Sequence, residues 1–204
     1  RLGIVIKISD IISHKTISGL YDNVLIKNPA ENDKRVIKTE QGRLEGEFPL
    51  LPVQECFFQN NFKTANHWNQ SFIIKSPLLD IDKLKTSIEK LIEYHDGFRL
   101  RYKNTTSVTI TAHLQYYHTK AKAEELKTLD IRTLKFAESD KQFKIELQEK
   151  LTDWQNKFCL ENGPLYTIGY IYGYKDGSAR IFFALHHLIV DTVSWRILKE
   201  HLKD

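Results

Sequence analysis

Apolar and polar positions follow two rhythms along this chain, and the change between them is sharpest at Phe182–Leu198, FFALHHLIVDTVSWRIL. From Arg180 to His186 the side chains alternate, with Ile181, Phe183 and Leu185 on one face and Phe182, Ala184 and His186 on the other. The spacing then turns helical over Val193, Trp195, Ile197 and Leu198, with Asp191 at the expected N-cap. A strand that ends as a helix begins holds polar groups rigidly at the mouth of a core. His186 and His187 point differently there, so at most one of them reaches a substrate.

Other elements follow from the same reading. Ile81, Leu84, Ile88, Leu91 and Ile92 recur at three and four, which predicts a helix over 80–95 capped by Asp80 or Asp82, with Gly97 as the break before a strand through Tyr102. Phe143, Leu147, Leu151, Trp154 and Phe158 form the stripe of a second long helix. Leu165–Tyr174 and Ala179–Leu185 form a hairpin through Lys175-Asp176-Gly177-Ser178. Pro52 suits the first turn of a helix running through Phe58, 68–75 reads as a strand and 107–119 as one or two strands, while 126–136 fits neither rhythm. At the N-terminus Thr16 caps a short helix bearing Ile17, Leu20 and Val24, and residues 25–47 are a polar linker. Strands and helices alternating irregularly around a hairpin predict an α+β sandwich, a largely antiparallel sheet with long helices on one face.

Composition narrows the function classes. With 204 residues, 41% hydrophobic and 27% charged, the chain supports one substantial core and a small appendage. No apolar run is long enough for a membrane span and the first residues lack signal-peptide order, so a cytoplasmic protein is expected. Thirty basic against 26 acidic residues give a net charge of +4 without basic runs interleaved with aromatics, which leaves nucleic-acid binding unsupported. Cys56 and Cys159 read as buried thiols and not a disulfide, and no ligand stands at a zinc spacing beside the histidine pair. An imidazole titrates near neutrality, so His187 suits proton transfer, and Asp191 suits pairing with a cation or orienting a ring. On local chemistry alone, such a pair of histidines is more often packed or solvent-facing than catalytic.

The order of residues adds a resemblance. His186-His187-x-x-x-Asp191 resembles the HHxxxD pattern of condensation and epimerization domains of non-ribosomal peptide synthetases, and of acyltransferases of the chloramphenicol acetyltransferase type. Ser194-Trp195-Arg196-Ile197-Leu198 is similar to the epimerization branch, as is Pro52-x-Gln54-x-x-Phe57-Phe58 followed by His67-Trp68-Asn69-Gln70-Ser71. Thr192 departs from the glycine usual at its position. His95-Asp96-Gly97-Phe98-Arg99 looks like the segment whose arginine pairs with the HHxxxD aspartate, which implies an Arg99–Asp191 ion pair. The stretch over 2–20 resembles the end of a peptidyl carrier domain without its phosphopantetheine-bearing serine.

The resemblance implies a chloramphenicol acetyltransferase-like sandwich. Residues 48–204 would be the N-terminal lobe of a two-lobed epimerization domain, 25–47 its linker and 1–24 a carrier remnant. The implied activity is that of an isomerase in antibiotic biosynthesis: L-to-D epimerization of an aminoacyl or peptidyl thioester on a carrier's 4'-phosphopantetheine arm. His187 would be the acid/base, supported by His186, Asp191 and Arg99, with a glutamate from the second lobe opposite. No cofactor or metal is implied for the domain itself. The implied partners are the loaded carrier, the second lobe, and the adenylation and condensation modules of a synthetase. A condensation-type acyltransferase and a carrier-docking fragment without catalysis are the alternatives.

Overall fold

The computed structural model describes residues 6–26, 42–106, 111–119 and 124–202, and the chain divides into two compact units, Arg1–Gln41 and Gly42–Asp204. In the first unit, α1 (Ile8–Ser13) precedes α2 (Ile17–Leu20), and the chain continues as a π-helical turn over Tyr21–Leu25. Thr16 caps α2 as its sequence predicts, its hydroxyl accepting from the Gly19 amide at 3.1 Å. Residues 27–41, most of the expected linker, lie outside the described residues.

The second unit contains two sheets. A three-stranded antiparallel sheet has the order β1 (Gly46–Pro49), β4 (Thr111–Tyr117), β3 (Leu100–Thr106). A four-stranded sheet has the order β2 (Asn69–Ser76), β7 (Ala179–His186), β6 (Tyr166–Tyr172), β5 (Lys127–Asp130). All neighbours are antiparallel except β5 and β6, which run parallel. The helix α5 (Lys141–Gln155) makes the crossover that a parallel pair requires. The remaining helices are α3 (Pro52–Gln59), α4 (Ile81–Tyr94) and α6 (Thr192–His201). β1 reaches back to Gly46, ahead of Phe48, where the sequence places the start of the lobe.

The central strand β7 explains the core. Its Ile181, Phe183 and Leu185 pack with Leu84, Ile88, Leu91 and Ile92 of α4 and Leu198 of α6. Its Phe182 and Ala184 pack with Phe143 and Leu151 of α5 and with Phe158. Helices therefore cover both faces of this sheet, which corrects the expectation of a single covered face. The near-continuous apolar run of β7 is the signature of a strand buried on both sides. Asp80 is the cap of α4, accepting from the Asp82 and Lys83 amides at 3.0 Å.

Two further readings change. The segment that fits neither rhythm supplies the short edge strand β5 and a 3₁₀ turn, too brief to display a period. Cys56 is exposed and Cys159 half-buried, both free, because α3 buries Gln54 and Phe57 and turns Cys56 outward. No helix among the described residues is long and apolar enough to cross a membrane.

Close packing between β6 and α5 is testable. A Cβ built on Gly169 would stand 2.1 Å from Cζ3 of Trp154. Gly169→Ala is expected to lower stability in urea unfolding by about 1–3 kcal/mol through overpacking, with partial recovery on adding Trp154→Leu. An unchanged unfolding midpoint would contradict this packing.

Candidate active site

The backbone at the end of β7 is held from both sides. The His186 amide donates to the Leu165 carbonyl and the His187 amide to the Trp68 carbonyl, each at 2.8 Å. Alternation then sends the two rings apart. His186 is fully buried, its ring edge-on to Phe57 at 5.6 Å between centroids. The Leu188 amide donates to its Nδ1 at 3.2 Å, so the proton sits on Nε2, which donates to the Ala65 carbonyl at 2.8 Å. Burial pushes its pKa down to about 4, against the raising effect of the Ala65 carbonyl. His186 is thus a neutral fastener with both nitrogens committed.

His187 is exposed, beside the indole of Trp68. Its Nδ1 lies 3.1 Å from the Val190 carbonyl, which can only accept, so Nδ1 carries the proton and Nε2 keeps a lone pair. At 3.2 Å from Nε2 stands Nε2 of Gln70, whose Oε1 accepts from the Trp195 indole N–H at 2.8 Å. Gln70 and Trp195 are the contacts that sequence reasoning missed as site residues. The signal was present, since one lies in the HWNQS segment and the other in SWRIL.

Asp191 lies at the start of α6, as its spacing predicts. Its Oδ1 accepts from the amide and the hydroxyl of Ser194 at 2.7 and 2.6 Å, and these bonds hold its carboxyl below the usual carboxylate range. Its backbone carbonyl accepts from the Trp195 amide at 3.0 Å. The expected ion pair with Arg99 is not made. Arg99 is buried and pairs instead with Asp96, three residues back in the same 3₁₀ turn, while its Nη2 also donates to the Leu44 carbonyl at 2.9 Å. The reason is local: Asp96 is within reach by chain geometry, and the Asp191 carboxylate is already engaged by Ser194. Thr192 is the first residue of α6 and is not among the positive-φ residues, so this loop has no conformational need for glycine.

A buried amide network lies under the loop. Gln54 donates to the Tyr102 hydroxyl and to Oε1 of Gln115, both at 3.0 Å, and the Tyr102 hydroxyl donates to the Leu188 carbonyl at 3.1 Å. A cavity of about 200 Å³ lies beside α6, lined by His95, Asp96, Phe98, Ile189, Ser194 and Leu198 among others. His187 faces the open surface and does not line it. Among the described residues no group of three or more His, Cys, Asp or Glu could hold a metal ion. What the arrangement offers chemically is one oriented imidazole at the open surface, with its Nε2 lone pair facing the Gln70 amide.

Comparison with known proteins bears on that imidazole. The condensation domain family matches residues 44–204. The chain is 36% identical over 203 residues to N-(5-amino-5-carboxypentanoyl)-L-cysteinyl-D-valine synthase of Penicillium rubens, covering all of this chain and 5% of that protein. It is 39% identical over 200 residues to the synthase of the same name from Amycolatopsis lactamdurans, covering 97% of this chain and again 5% of the relative. The solved epimerization domain from the third module of tyrocidine synthetase B shares 30% identity at a TM-score of 0.68, over 81% of this chain and 35% of that one. The starter condensation domain of rhizomide synthetase, 16% identical with a TM-score of 0.61 over 77% of this chain and 38% of that one, shares the fold.

Two outcomes test the geometry. In an NMR titration the His186 ring is expected to stay neutral down to about pH 4. The unfolded ring, near 6.5, binds its proton first, so the stability tied to this site is whole above about pH 6.5 and is lost as pH falls toward 4. Titration near 6.5 would contradict the bonding of both nitrogens. In double-mutant cycles, Arg99→Met and Asp191→Asn should be additive within about 0.5 kcal/mol, whereas Arg99→Met and Asp96→Asn should couple.

Proposed function

The chain belongs to the condensation-domain family of non-ribosomal peptide synthetases, and from that premise we propose that it supplies the base-bearing lobe of an amino-acid epimerase acting on carrier-bound thioesters. One observation carries this reading: the two segments that resemble the epimerization branch, HWNQS and SWRIL, converge on Nε2 of His187 through Gln70 and Trp195. The likeness to a solved epimerization domain supports it, and so do the names of two relatives, whose product ends in D-valine.

In the proposed reaction the thioester carbonyl acidifies the α-carbon, and the lone pair on Nε2 of His187 takes the α-proton. The electron pair left behind moves onto the thioester oxygen as an enolate. The Val190 carbonyl holds Nδ1–H throughout and keeps the ring aimed. An acid in the second lobe returns a proton to the opposite face, which inverts the centre with one proton out and one in. The phosphopantetheine arm enters as part of the substrate. The partners are the loaded carrier, the second lobe, and the adenylation and condensation modules of the synthetase. His186 and Asp191 shape the loop without touching the substrate, and Arg99 braces the neighbouring sheet.

The match to the condensation domain family favours a second reading, in which the same lone pair takes a proton from an attacking amine during acyl transfer. Solvent deuterium separates the two. The synthetase carrying this chain, given a carrier-loaded aminoacyl thioester in D2O, is expected to incorporate α-deuterium with loss of optical purity. His187→Ala should reduce this about 100-fold or more. A new amide bond to an added amine, without exchange, would establish condensation instead.

A further inference from the structure

The hydrogen bonds around His187 have only one consistent direction. At one end the Trp195 indole N–H can only donate, so the Gln70 atom 2.8 Å away is the amide oxygen. That leaves the Gln70 NH2 facing Nε2 of His187 at 3.2 Å. At the other end the Val190 carbonyl can only accept, so the proton on the ring is at Nδ1. Two groups of fixed character, the Trp195 indole N–H and the Val190 carbonyl, thereby define the tautomer of an exposed histidine, the first of them through Gln70, 125 residues away from Trp195 in sequence. Sheet register makes the joint possible. Gln70 pairs with Leu185, whose side chain is on the face covered by α6, and α6 carries Trp195.

We infer that Gln70, oriented by Trp195, is a positioning residue for His187, its NH2 donating to Nε2 and so holding the ring as the Nδ1–H tautomer. The amide N–H occupies the lone pair that a proton bound for Nε2 needs, so proton uptake at Nε2 requires this bond to break. Turning the amide over would set its NH2 against the indole N–H, so the relay relaxes back to the direction in which Nε2 accepts. The activity consequence rests on the epimerase reading; the tautomer does not.

The test uses both measurements. In this chain labelled with 15N-histidine, with His187 assigned by difference from His187→Gln, the neutral ring is expected as the Nδ1–H tautomer. Trp195→Phe, which keeps a ring against Phe72 but removes the N–H, should mix the tautomers. Gln70→Glu, whose side chain only accepts, should move the proton to Nε2. In the synthetase carrying this chain, Gln70→Leu and Trp195→Phe should each lower kcat for α-deuterium exchange about 10- to 100-fold with KM little changed, and the double variant should be no worse than Gln70→Leu alone. Identical tautomer populations in wild type, Trp195→Phe and Gln70→Glu, all with unchanged unfolding midpoints, would overturn the inference. Tautomers that respond as stated in a protein without α-exchange would overturn the epimerase reading and leave the positioning role standing.

Discussion

A buried imidazole has two polar atoms and no water to satisfy them, and the geometry of this site follows from how His186 meets that demand. Each unsatisfied atom would cost about 1–3 kcal/mol, so the ring is held where the Ala65 carbonyl and the Leu188 amide can both reach it. Those bonds join the turn ahead of β2 to the turn after β7. With the end of β7 fixed, alternation leaves His187 no inward option, and the Trp68 carbonyl fastens its backbone. The exposed histidine is oriented because its neighbour is buried.

The aspartate of the HHxxxD pattern acts at one remove. Its side-chain hydrogen bonds go to Ser194 and not to either imidazole; it caps α6, and α6 presents Trp195 to Gln70. A carboxylate at a helix N-terminus meets both free amides and the positive end of the helix dipole, which accounts for its place here without a buried cation. The buried guanidinium of Arg99 serves the other sheet, bonding to Leu44 and lying over the Tyr117 ring.

Much of this could be read along the chain, because periodicity and caps are local. The faces of β7, the stripes of α4 and α5, and the caps at Thr16, Asp80 and Asp191 all follow from spacing. What depended on partners distant in sequence could not be read that way. The pairing of Gln70 with His187 crosses 117 residues, and no local pattern announces it. The resemblance named an arginine and an aspartate but gave no distances, and Asp96 was the nearer carboxylate. Coverage of both sheet faces was written in the unbroken apolar run of β7, but which helices supply it depends on packing between segments distant in sequence.

The pairing of β2 with β7 has a consequence for how the protein is made. β2 leaves the ribosome long before its partner exists; at about 5–20 residues per second, more than a hundred intervening residues take on the order of ten seconds to synthesise. During that interval Phe72 and Ile74 lack the strand and core that later cover them. Such non-local pairing slows folding and favours shielding of the nascent segment, and the His187 loop forms only once β2 and β7 have met.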